Sequence, residues 1–97
     1  MPSRKKTPTL KADGTPSTNV DQEKFEIVRE ILLSTLPKEG DGLTIREMEA
    51  EVAPLVSKKL FPKGVMWWVM TVKLDMEGRG ELQRIPGSKP LRHLRTN

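Results

Sequence analysis

Apolar positions recur with helical spacing between Gly64 and Arg79, and that run organises the chain. At about 100° per residue, Val65, Val69, Val72 and Met76 fall in one narrow stripe, the pattern of a core-facing side. The opposite side carries Trp67, Met70, Thr71 and Leu74, leaving Lys73, Asp75 and Glu77 as the charges of a helix that is apolar almost all round. A helix of this kind is covered on more than one side. On this phasing Trp68 lies on the shoulder of the core stripe and Trp67 opposite it, so Trp68 is expected to be the more buried. Gly78-Arg79-Gly80 ends the helix, because glycine takes the left-handed conformation past a helix end at little cost.

Two further helices are predicted upstream. Asp21 can N-cap the first, with Val20 and Phe25 as a hydrophobic staple; Phe25, Val28, Ile31, Leu32 and Leu36 form its inward stripe. It runs to about Thr35, since the residue before Pro37 is pushed out of the α region. KEGDG reads as a loop. The second helix opens on a capping box, Thr44 with Glu47, and on a staple of Leu43 with Met48; Ile45, Met48 and Val52 give its buried side. Pro54 ends or kinks it near Ala53. After Gly80, ELQRI and LRHLR are short strand-like runs around Pro86-Gly87-Ser88-Lys89-Pro90, a joint suited to a hairpin. By contrast, residues 1–19 are rich in Pro, Ser, Thr and Gly with scarcely an apolar side chain, and are expected to form a disordered basic arm ahead of one domain over residues 20–97.

Charge changes this picture. The net +4 is uneven: residues 1–22 hold four basic against two acidic side chains, residues 23–62 six against eight, and residues 63–97 seven against three. Both ends are basic, as expected where a nucleic-acid backbone is the partner. The absence of cysteine excludes disulfide, thiolate-metal and thiol-nucleophile sites. No apolar run is long enough to span a bilayer and no signal peptide is evident, so the chain reads as soluble and cytoplasmic.

Three helices followed by a basic hairpin is the order of a winged helix–turn–helix domain, and the segment LDMEGRGELQRI resembles that family's junction between recognition helix and wing. The residues that carry the resemblance are Met76, Glu77, Arg79, Gly80, Leu82 and Arg84; with the tail that follows, the chain also resembles small uncharacterised bacterial winged-helix proteins. The resemblance implies an α+β fold, three helices with a C-terminal two-stranded β-hairpin wing, and duplex DNA as partner. In that reading Arg84, Lys89, Arg92 and Arg95 of the wing clamp phosphates. Thr71 and Lys73 lie on the groove-facing helix, and Arg4, Lys5 and Lys6 add a basic arm. The chain differs from a base-reading member in its long link between helices two and three. It differs also in the apolar outward face of helix three, where base readout relies on polar side chains.

Candidate chemistry is sparse. His93 is the only histidine and has no helical carboxylate or cysteine companion in sequence; Glu47, Glu49 and Glu51 read as a solvated face; Gly87-Ser88-Lys89 lacks the spacing of a phosphate loop. No enzyme, cofactor, metal or small-molecule site is therefore expected. Two functions remain: DNA binding, the leading expectation, and a protein-interaction or homodimer module that uses Trp67, Met70 and Leu74.

Overall fold

The computed structural model of the chain describes residues 5–96. Its elements, in order, are β1 (Lys6–Leu10), β2 (Pro16–Asp21), α1 (Gln22–Thr35), β3 (Leu43–Thr44), α2 (Ile45–Val52), a 3₁₀ turn (Ala53–Leu55), α3 (Met66–Gly78), β4 (Leu82–Arg84) and β5 (Arg92–Arg95). The fold is α+β.

The helices begin and end where local chemistry directs. The Asp21 carboxylate accepts the Lys24 N–H at 3.1 Å to cap α1, and Leu36 is already extended before Pro37. At α2 both halves of the capping box form: Glu47 N–H to the Thr44 hydroxyl at 3.1 Å, and Thr44 N–H to the Glu47 carboxylate at 2.9 Å. Pro54 sits in the 3₁₀ turn that closes α2. α3 ends in a Schellman arrangement. Gly80 (φ +78°) donates to the Glu77 carbonyl at 3.1 Å, and Glu81 donates to that of Met76 at 2.8 Å.

The three helices pack around one core. Val65, Val69, Val72 and Met76 are all buried in one cluster with Phe25, Val28 and Leu32 of α1, Leu36 just past its end, and Met48 and Val52 of α2. Both tryptophans are ordered as the wheel implies, Trp68 half-buried and Trp67 exposed.

The strands depart from expectation in two places. The hairpin expected after α3 forms from β4 and β5, but β3 adds a third strand to it, giving an antiparallel sheet in the order β3-β5-β4, with Leu43 opposite His93 and Arg84 opposite His93 on the other edge. Second, the stretch expected to be a disordered arm is a paired element from residue 6 onward. β1 and β2 form an antiparallel hairpin in which Lys6 faces Asp21 and Thr7 faces Val20. Asp13 closes its turn by accepting from the Thr15 N–H at 2.9 Å and the Thr15 hydroxyl at 2.6 Å. Composition failed as a guide because this hairpin is stabilised elsewhere: Val20 enters the common core, Thr9 is buried with its hydroxyl donating to the Thr18 carbonyl, and the Leu10 N–H reaches the Asp75 carboxylate of α3 at 3.3 Å. The readable signal was Asp13-Gly14 between two threonine-bearing runs, a hairpin turn pair.

Candidate interaction surface on α3

The positions expected to meet DNA have separate fates. Lys73 is not on an outward flank: its side chain is 4% exposed and its ammonium lies 2.7 Å from the Glu77 carboxylate one turn on. Glu77 also takes Arg84, whose guanidinium stands 3.0 Å away. Burial pushes the Glu77 carboxyl up, but hydrogen bonds from Arg84 and Lys73 prevail and hold it below the usual range. Arg92 is turned onto its own domain, 3.2 Å from Glu47 and 3.3 Å from the Gly42 carbonyl; Arg95 donates to the Leu36 carbonyl at 3.2 Å, satisfying a group left over at the end of α1. The backbone hydrogen bond from Thr44 is the main cause holding the Glu47 carboxyl below its ordinary value. Lys5, Lys6 and Lys89 are exposed, Thr71 is half-buried, and Arg4 lies outside the described residues.

His93 is fully buried at the centre of the sheet. Its Nδ1 lies 2.9 Å from the Leu43 carbonyl, which assigns the proton to that nitrogen. Its Nε2 has no hydrogen-bond partner, the Glu77 carboxylate being 3.8 Å away. Burial is the first cause that lowers its pKa. A ring closed off from solvent in this way has no route to a substrate. Among the described residues no group of three His, Asp or Glu side chains is placed to hold a metal ion. Among the described residues no helix is long and apolar enough to cross a membrane.

What α3 does present is apolar. The β1–β2 hairpin lies against one side of its C-terminal end, through Asp75 and Gly78, and Lys73 and Glu77 turn to the sheet on the other. Between them the outward residues are Trp67, 58% exposed, and Met70, 38% exposed, with Leu74 half-buried beside them. Trp67 also has an aromatic neighbour on its own helix. Its ring stands 5.0 Å from that of Trp68 at 84°, and Trp68 is in turn 6.1 Å from Phe61 at 87°, both edge-to-face contacts. Lys24 of α1 sets its ammonium 5.7 Å from the Phe61 centroid and 6.0 Å from that of Trp68.

Sequence reasoning placed Trp67 outward; it gave Met70 both an outward position and a gap-filling core role, of which the structure shows the first; and it missed Leu55, which at 63% exposure is a third large apolar side chain at the surface among the described residues. The signal was present: Leu55 follows the proline that ends α2, so no helical stripe carries it inward.

No curated protein and no solved structure matches the chain. A family model does match, over residues 6–93, a span that takes in the β1–β2 hairpin and reaches into β5. The chain therefore belongs to a family of unknown function, DUF6958.

Proposed function

We propose that the chain is a non-catalytic winged-helix module that binds a protein partner through the outward face of α3. The winged-helix reading is supported by element order: three helices, a first strand between α1 and α2, and a hairpin after α3 whose last strand is central. The observation that carries the function is Trp67. It is more than half exposed, and its ring rests edge-to-face on Trp68, which in turn packs on Phe61, an arrangement that favours one orientation of the side chain before binding. Tryptophan and methionine are enriched at interface centres, and neither offers the paired donors and acceptors that read base edges.

A second reading, DNA binding in the cytoplasm of a bacterial cell, rests on the exposed Lys5, Lys6 and Lys89, which have no ion-pair partner among the described residues, and on the net +4. Fluorescence anisotropy with random duplex at two salt concentrations separates the two. The protein-partner reading expects a flat titration at low salt. Saturable binding whose log K falls with log salt by about 0.9 per neutralised phosphate, and that weakens in Lys89→Gln, transfers the function to DNA.

A further inference from the structure

Among the described residues, the three exposed large hydrophobic side chains, Leu55, Trp67 and Met70, come from one segment of sixteen residues. Between Glu51 and Asp75 the chain contains no carboxylate, while Lys58, Lys59 and Lys63 are all exposed and without an ion-pair partner among the described residues. A groove of about 140 Å³ is formed largely by the same segment, lined by Ala53, Val56, Lys58, Phe61 and Val65, with Glu49 on its α2 wall. Phe61 links the groove to the tryptophan pair. Along this segment the large exposed side chains are therefore apolar or cationic, with no carboxylate among them.

Resting on the reading of α3 as a protein-binding face, we infer that its partner is an acidic amphipathic helix of another protein. Trp67, Met70 and Leu74 follow i, i+3, i+7 spacing, which suits a helix laid alongside α3. The lysines select the charge of the partner and also disfavour a second copy of this chain. A second copy would bring its own net +4 charge, and the same segment would offer these lysines no carboxylate between Glu51 and Asp75. Phosphate backbones would satisfy the lysines but leave the apolar side chains without apolar contact.

The test is selection of a random-peptide display library on the full chain, with Trp67→Ala for counter-selection and Met70→Ala as a second variant should the first not fold. Enriched peptides are expected to combine apolar residues at helical spacing with Asp and Glu. Trp67→Ala should weaken them at least about tenfold, as truncation of a hot-spot residue does. Charge reversal at Lys58, Lys59 and Lys63 should weaken them as well and shift enrichment toward basic peptides. Trp67-dependent peptides with no acidic bias, or indifferent to charge reversal, overturn the partner class while leaving the protein-binding reading in place. Failure of every peptide to depend on Trp67 or Met70 overturns both, as does Trp67-dependent binding confined to random duplex or to phosphatidylserine vesicles.

Discussion

Gly78, the last residue of α3, lies directly under the Lys11 carbonyl: a Cβ at this position would collide with that oxygen and stand 3.0 Å from the Leu10 Cβ. The two glycines that end α3 thus have different reasons for being there. Gly80 supplies the left-handed turn, whereas Gly78 has an ordinary helical backbone and makes room for the β1–β2 hairpin.

Gly78→Ala tests that contact. In an open helix the change gains about 1 kcal/mol of helix propensity. Here overpacking against backbone atoms dominates, and a net loss of about 1 to 3 kcal/mol is expected in urea unfolding. Amides of residues 6–20 should lose exchange protection in this variant. Gly80→Ala, with open space but a positive φ, should cost about 1 to 2 kcal/mol and leave hairpin protection intact. A neutral or stabilised Gly78→Ala would mean that the hairpin does not rest on α3.

Deleting residues 1–18 addresses the hairpin as a whole. A disordered arm would leave the thermal midpoint unchanged. The paired hairpin predicts a clear fall, since each kcal/mol lost moves the midpoint by about 4 to 8 °C in a domain of this size. The deletion strips the Leu10 N–H from the buried Asp75 carboxylate, which keeps Arg79 at 2.6 Å as its remaining partner. An unshifted midpoint by calorimetry would return residues 1–18 to the status of a tail.

The contrast between these elements explains what could be read from the chain. The starts of α1 and α2 are legible because a cap and its partner lie three residues apart, and the α3 stripe because burial repeats every turn. β3 is two residues long and pairs with β5 across some fifty residues, so no local pattern announces it. The same holds for the cations. Arg84 and Arg92 read as solvent-facing because their local context is polar, but Glu77 and Glu47 reach them through the tertiary fold; Lys73 meets Glu77 one turn along its own helix, and only the burial of that pair is tertiary. Trp67 was legible because its exposure follows from helical phase alone.

Glu77 joins Lys73 of its own helix to Arg84 of β4, and burial decides which partner matters. Glu77→Gln leaves Lys73 charged and buried, a loss of about 3 to 5 kcal/mol for a broken buried pair. Arg84 is half exposed and water can replace its partner, so Arg84→Gln should cost less than about 1 kcal/mol. Urea unfolding of the two variants checks the order. Equal costs would place Lys73 within reach of water.

The histidine supplies a pH dependence whose sign can be worked out. Burial depresses the His93 pKa from its ordinary 6.5; the Leu43 carbonyl and Glu77 oppose this, Lys73 and Arg84 add to it, and the net shift is downward. The unfolded chain therefore binds a proton more readily than the folded one. Stability is full above about pH 6.5 and falls as pH drops from there through the depressed folded value, since unfolding then takes up a proton. The carboxyls whose pKa values are lowered, Glu77, Glu47 and Asp13, have ordinary values of 4.5 or 3.8 and add their own losses only at lower pH. Between about pH 7 and pH 5 the slope thus belongs to His93. In His93→Gln, whose amide can still donate to the Leu43 carbonyl, urea unfolding at pH values across that window should give a nearly flat profile where the wild type declines. A wild-type stability that is flat or rises on acidification would mean that the ring is hydrated, or already paired with Glu77, rather than sealed in the sheet.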